Sequence, residues 1–150
     1  MPEGILTYIH RDHEEFSGLI TRILQAKDAD ERGNLFREAM AKLLAHSHVE
    51  QKLLYRRLEK ADDEARNFAY AGENEHQLIE RQLQQMAHAA DKASEEWTAQ
   101  ARVLWELVDH HVKEEEATAF PCARRLFDAP LREQLGELFR RAKEEELAKA

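Results

Sequence analysis

The chain has 150 residues, which is enough for one domain with a substantial core, so we expect a single domain over residues 1–150. Its net charge of −8 at pH 7 argues against a nucleic-acid partner, and no apolar run is long enough to span a membrane. One cysteine and an N-terminus without a basic leader predict a reduced, cytoplasmic protein. Eight histidines remain to be explained.

Helix-favouring residues dominate, and apolar residues recur at the helical period in four long segments. The first predicted helix begins near residues 2–3, and His13 occupies one position of its apolar stripe. A predicted turn over residues 28–34 leads to the second helix, in which His46 and Glu50 share the apolar face.

The third predicted helix runs from about residue 68 to 90 and carries His76 on its inner edge. Ser94 is a suitable N-cap for the fourth helix, because its hydroxyl can accept a hydrogen bond from a backbone N–H of the first turn. His111 and Glu115 follow on the inner face of that helix.

Two prolines mark the C-terminal part of the chain. Pro121 is predicted to end the fourth helix, and Asp128 before Pro130 to open a shorter fifth helix that covers one end of the bundle. The pattern predicts an all-α, up-down-up-down four-helix bundle with a short C-terminal fifth helix and a core over about residues 5–125.

The second and fourth helices form an internal repeat. Residues 46–58 match residues 111–123, so that histidine aligns with histidine, glutamate with glutamate, and Tyr55 with Phe120. The segments around the first and third histidines match each other as well. The chain therefore carries a histidine, a His-x3-Glu pair, a histidine, and a second His-x3-Glu pair.

Four imidazoles and two carboxylates in a bundle core would be costly without partners, at about 1–3 kcal/mol for each unpaired group. A metal centre removes that cost, and this donor set suits iron, manganese or zinc. Four nitrogens and two bridging carboxylates supply about eight bonds, whereas two octahedral ions need about twelve. A bridging oxide would supply two more and leave open positions for a small exogenous ligand.

This pattern resembles the hemerythrin-like HHE cation-binding domain family, and "LLYRRL" and "AFPCARRL" resemble the tails that follow its motifs. The resemblance covers about residues 5–125. It implies a non-haem centre of two iron ions joined by an oxo or hydroxo bridge, with zinc or manganese as substitutes. The ligands that it implies are His13, His46, His76 and His111, with Glu50 and Glu115 as bridges.

The sequence departs from the family pattern at three points. Oxygen-carrying hemerythrins have a second histidine on helix three where this chain has Glu80, which we keep as a further candidate ligand. They also have an Asp five residues after the fourth-helix histidine, where this chain has Glu115 at four. Gln51 replaces the family's usual second acidic residue after the helix-two motif.

Three classes of function follow from the resemblance. The first is binding or sensing of O2, NO or peroxide at open iron positions, as in a stress response. The second is a di-iron enzyme that acts on peroxide, or an iron donor for the repair of iron centres. The third is a structural metal-binding bundle. The sequence identifies no catalytic residue and no protein partner.

The remaining polar residues are not predicted to be metal ligands. Tyr55 is predicted to fill the core, and Glu116 to lie on the solvated face of its helix. The C-terminal segment 140–150 is predicted to be an ordinary exposed helix end with Glu–Lys pairs. His110 lies off the inner stripe and is predicted to lie on the surface, with a supporting contact to the neighbouring site as the alternative.

Overall fold

The computed structural model describes residues 3–150, and every element in that range is helical. Seven α-helices are α1 (Ile5–Gln25), α2 (Ala29–Glu50), α3 (Arg56–Glu59), α4 (Asp63–Ala87), α5 (Glu95–Glu114), α6 (Phe120–Leu126) and α7 (Ala129–Lys149). Two π-helical turns, Gln51–Tyr55 and Glu115–Ala119, join α2 to α3 and α5 to α6 without a break. The chain therefore forms a bundle of five continuous helical rods, and the predicted all-helical bundle is confirmed.

Side-chain caps fix where four of these rods begin. Asp28, Asp62, Ser94 and Asp128 each accept a hydrogen bond from the backbone N–H three residues further on. The predicted caps Ser94 and Asp128 are confirmed. The predicted turn over residues 28–34 is wrong beyond its first residue, because Asp28 caps a helix that starts immediately after it.

Pro121 does not end the fourth rod, contrary to the prediction. The π-helical turn Glu115–Ala119 precedes it, and there the Phe120 N–H donates to the Glu115 carbonyl five residues back. This wider turn displaces the carbonyl that an α-helical proline ring would strike, so the chain continues into α6. The same turn makes Glu115 part of the π-helical segment rather than of α5.

The predicted short fifth helix is wrong in length. Helix α7 has 21 residues, as many as α1, and it packs along α1 and α2 with Leu135 and Phe139 fully buried. Two glycines permit the close contact: a Cβ at Gly136 would lie 2.8 Å from the Gly4 carbonyl carbon. Gly4 itself has φ 62°, a conformation that favours glycine.

The apolar core consists of two clusters with a polar layer between them. Along α1 the chain passes from the first cluster, with Ile5 and Ile9, through His13 to the second, with Phe16 and Ile20. The rods containing α2, α4 and α5 each cross the same three levels. Each rod thus brings the predicted ligand residues to one level of the bundle.

Within residues 3–150, no helix combines the length and the apolar composition that a membrane crossing requires.

Candidate metal centre

The six predicted ligand residues meet in the polar layer. They come from α1, α2, α4, α5 and the π-helical turn after α5, and none of their exposed fractions exceeds 8%. Their donor atoms form two groups, and within each group the atoms lie within 4.8 Å of one another. The first group comprises His13, His46, Glu50 and Glu115, and the second comprises Glu50, His76, His111 and Glu115.

Both glutamates belong to both groups. Each carboxylate approaches the Nε2 atom of one histidine from the first group and one from the second. These contacts are His46–Glu50 at 3.5 Å, His76–Glu50 at 3.1 Å, His13–Glu115 at 3.0 Å and His111–Glu115 at 3.7 Å. Glu50 makes both contacts through Oε1, whereas Glu115 uses Oε1 for His13 and Oε2 for His111, so each carboxylate lies between the two groups.

Several of these donor atoms are buried without a hydrogen-bond partner in the described chain. They are the Nε2 atoms of His13, His46 and His76, both carboxylate oxygens of Glu50, and Oε1 of Glu115. Each such atom lowers the stability of the fold by about 1–3 kcal/mol unless a hydrogen bond or a metal ion occupies it. Imidazole nitrogens and carboxylate oxygens together fit a metal of the iron, manganese or zinc kind.

Carboxylates behind the histidines fix which ring nitrogen faces the centre. His13, His46 and His111 each place Nδ1 2.7 Å from a carboxylate oxygen. The partners are Glu116 for His13, Asp12 for His46 and Glu75 for His111. Because an ionised carboxylate only accepts hydrogen bonds, Nδ1 carries a proton, and Nε2 is the nitrogen that faces the centre and can bind a metal once any proton on it is released.

The predicted solvated position of Glu116 is therefore wrong. Its side chain joins His13 to the exposed His10, whose Nδ1 lies 3.0 Å from Glu116 Oε1. Glu75 joins His111 to the exposed His110 in the same way, at 3.2 Å from His110 Nε2. His110 is exposed, as predicted, and it contacts the site through Glu75.

The C-terminal helix also reaches the site. Lys143 on α7 donates a hydrogen bond to Asp12, and the Phe139 ring packs edge-on against His46 with centroids 5.7 Å apart. The prediction of an ordinary exposed helix end over residues 140–150 is wrong at Lys143, because this ammonium group is paired with a buried carboxylate.

Tyr55 belongs to the site as well as to the core. Its hydroxyl donates to Glu115 Oε2 and lies 3.2 Å from His111 Nε2. The ring is stacked on His76, with centroids 5.0 Å apart and planes 6° apart. Burial and the negative charge of Glu115 raise the pKa of Tyr55 well above its ordinary value, so the hydroxyl remains a donor at neutral pH.

Gly72 on α4 makes room for Tyr55, because a Cβ at Gly72 would lie 2.8 Å from Tyr55 Cε2. Gly72→Ala is therefore expected to displace the tyrosine ring from His76. We expect a net destabilisation of about 1–3 kcal/mol, measured as the free energy of unfolding in urea. Gly18→Ala is the matched control on α1, because no described atom outside the adjacent residues and the helix's own backbone lies within 4 Å of the added methyl. Equal stability of the two variants would contradict this role of Gly72.

Charge and burial act in opposite directions on the histidine pKa values. Burial lowers the pKa of His13, but the negative charge of Glu115 at 3.0 Å and the hydrogen bond to Glu116 prevail and raise it to about 9. For His46, burial is overcome by the charge of Glu50 and the hydrogen bond to Asp12, which raise the pKa to about 10. Burial prevails at His76 and lowers its pKa.

Glu80 is not brought into either group of donor atoms. It lies half-buried on α4, one turn beyond His76. Cys122 is also outside both groups, and its Sγ lies 3.2 Å from Glu64 Oε1. The layer is therefore built from the six residues of the repeated pattern, with Tyr55 and the outer carboxylates added.

Comparison with known proteins agrees with this arrangement. The family model described as "Hemerythrin HHE cation binding domain" matches residues 4–123. A protein of Nostoc sp. (strain PCC 7120 / SAG 25.82 / UTEX 2576) named "DNA nickase" is 28% identical over 145 residues, 93% of this chain but 39% of that protein. No solved structure matches the chain. Because the family model covers most of the sequence and all six site residues, the chain belongs to the hemerythrin HHE cation-binding domain family.

Proposed function

We propose that the polar layer binds two iron ions, one in each group of donor atoms. His13 and His46 would bind the first ion, His76 and His111 the second, and Glu50 and Glu115 would bridge them. The single observation that carries this proposal is that each buried glutamate contacts one histidine of each group. Zinc or manganese could occupy the same donors.

The charges around the layer support two ions rather than one. Five carboxylates surround the six ligands or belong to them: Glu50, Glu115, Asp12, Glu75 and Glu116. Lys143 neutralises one of them, which leaves two negative charges on the buried Glu50 and Glu115 and two on the half-buried Glu75 and Glu116. Two divalent cations balance these charges, whereas a single one would leave two uncompensated.

We also propose the up-down-up-down topology for the four rods that contribute ligands. The order of the two apolar clusters supports it. The first cluster precedes the ligand residues in α1 and α4, and it follows them in the rods that begin with α2 and α5. Such alternation is expected when successive rods run in opposite directions.

We infer that the ligand of this centre is small. A cavity of about 40 Å³ opens beside His13 between α1 and α5, and apolar side chains such as Ile20, Val108 and Val112 line part of it. That volume suits a molecule with two or three heavy atoms. O2, NO and peroxide are the ligands of this size that react with reduced iron, so we propose binding or sensing of one of these.

Two other functions remain as alternatives. A di-iron enzyme that consumes peroxide, or an iron donor for damaged iron centres, would use the same ligands. A bundle that holds metal only for stability would need no cavity beside His13.

We keep a cytoplasmic location as a prediction, because a reducing compartment suits both the lone Cys122 and ferrous iron.

The relative named DNA nickase does not lead us to propose nucleic acid as a partner. This chain spans only 39% of that protein. The net charge of −8 also disfavours contact with phosphates. Absence of binding to a duplex oligonucleotide in low salt is the expected result for the metal-loaded protein.

Anaerobic loading with Fe²⁺, followed by exposure to O2, tests the proposed function. We expect two irons per chain and near-ultraviolet absorption after oxidation. A spectral change that reverses under argon would support binding or sensing, and rapid consumption of added peroxide would support the enzyme. Stoichiometric binding of zinc from the cell, with no iron uptake in vitro, would refute both iron functions.

A further inference from the structure

The outer carboxylates follow the internal repeat, and the repeat is incomplete at one position. Asp12 and Glu75 occupy equivalent places, each directly before a histidine of the layer. Asp12 binds His46, and Glu75 binds His111. In both cases a carboxylate on one rod fixes the histidine of the next rod, at the same distance of 2.7 Å.

The second kind of outer carboxylate directly follows a bridging glutamate. Glu116 follows Glu115 and binds Nδ1 of His13. Its equivalent after Glu50 is Gln51, and the histidine equivalent to His13 is His76. Gln51 is half-buried, and no hydrogen bond between it and His76 is found in the described chain. His76 is therefore the one histidine of the layer whose Nδ1 no carboxylate holds.

The first group gains further support from α7. Lys143 binds Asp12, so the carboxylate behind His46 is itself held in place. The family model ends at residue 123, and α7 begins beyond it. In the second group, by contrast, the Tyr55 hydroxyl donates to Glu115 Oε2, the oxygen nearest His111. That hydrogen bond competes with a metal for a lone pair of the bridging carboxylate.

We propose that the two metal positions are unequal, that the second group holds the weaker and exchangeable ion, and that the inequality arises because Gln51 stands where the repeat places a carboxylate. A carboxylate behind a ligand histidine orients the ring and makes it a stronger donor, and its loss typically lowers metal affinity 10- to 100-fold. The proposal rests on the proposed binding of two ions. Its consequence is that one ion can leave while the other and the fold remain.

Titration of the metal-free full chain with Zn²⁺ against a chromophoric chelator measures both binding steps. We expect two steps per chain that differ at least about 10-fold in affinity. Gln51→Glu is expected to tighten the weaker step by about 10-fold or more, because it supplies the missing partner for His76. Gln77→Glu is the matched control, since this exposed residue lies next to His76 and receives the same charge.

Lys143→Met supplies the opposite test. It should lower the metal affinity of the tighter step and leave that of the weaker step unchanged. Lys143→Arg, which keeps the positive charge, should keep both affinities at the wild-type values. Arg140→Met on the same helix is the control, because within residues 3–150 Arg140 forms ion pairs only with Glu137 and Glu144 on α7 itself. Circular dichroism of each metal-free variant checks that a changed step does not reflect unfolding.

Failure of this inference and failure of the proposed function give different results. No Zn²⁺ or Fe²⁺ binding by the wild type would refute the metal centre itself. Two ions bound with equal affinity would refute the inequality alone. An effect of Gln51→Glu on the tighter step, or an equal effect of Gln77→Glu, would overturn the role of Gln51.

Discussion

Glu50→Gln is expected to abolish binding of both metal ions, not one. Glu50 contacts His46 of the first group and His76 of the second, so its loss removes a ligand from each position. Because loss of an outer partner alone costs 10- to 100-fold in affinity, we expect a loss of more than about 100-fold at both steps. Metal per chain after desalting with a weak chelator, measured by mass spectrometry, checks this.

Glu115→Gln should behave in the same way, because Glu115 contacts His13 and His111. Glu114→Gln is the matched control, since Glu114 is its exposed neighbour on the same rod. Retention of one tightly bound ion by either bridge variant would show that each glutamate serves a single ion. The bridging assignment would then be wrong even though the layer binds metal.

The second large effect concerns pH. At pH 7 the metal-free protein retains protons on His13 and His46, whose pKa values are raised to about 9 and about 10. Metal must displace these protons, so affinity is expected to rise by about 100-fold per pH unit near neutrality if both are released. Uptake of Zn²⁺ in weakly buffered solution with an indicator dye measures the protons released per chain.

The stability of the metal-free protein should show the opposite trend. Because the pKa values of His13 and His46 are higher in the folded state than the ordinary 6.5, the folded state binds more protons. The stabilisation from these protons is complete below about pH 6.5 and disappears as pH rises through 9 and 10. Thermal melts between pH 6 and 10 should therefore show a falling midpoint without metal. A midpoint that rises across this range would contradict the assigned pKa shifts.

The parts of the fold that the sequence predicted are those that local spacing determines. His46 and Glu50 are four residues apart in a helix, so they must share a face, and the same holds for His111 and Glu115. The family and the all-helical bundle were predicted from that pattern and are confirmed. The assignment of the six residues as metal ligands stays a prediction, although the structure brings them together.

The outer carboxylates could not be predicted in the same way, because each one acts on a histidine of another rod. The sequence placed Glu116 in a solvated run of glutamates, yet in the structure it lies against His13 on another rod. One signal was available: Asp12 and Glu75 occupy the same position of the repeat. Equivalent acidic residues beside equivalent histidines indicate that both carboxylates have the same role at the site.

The two π-helical turns also correspond to a spacing that can be read from the sequence. Tyr55 and Phe120 lie five residues after Glu50 and Glu115, whereas an α-helical face repeats every three or four residues. A spacing of five between inward residues therefore indicates a widened turn, and it occurs twice. That spacing explains how Tyr55 reaches the site and why Pro121 lies inside a continuous rod.

Helix α7 covers one side of the bundle. It packs along α1 and α2, and it closes the histidine layer behind His46 with Phe139 and Lys143. The cavity beside His13 lies between α1 and α5, on a flank that α7 does not line. A small molecule in this cavity would lie beside His13, and a bulky residue at Val108 would obstruct it while leaving α7 untouched.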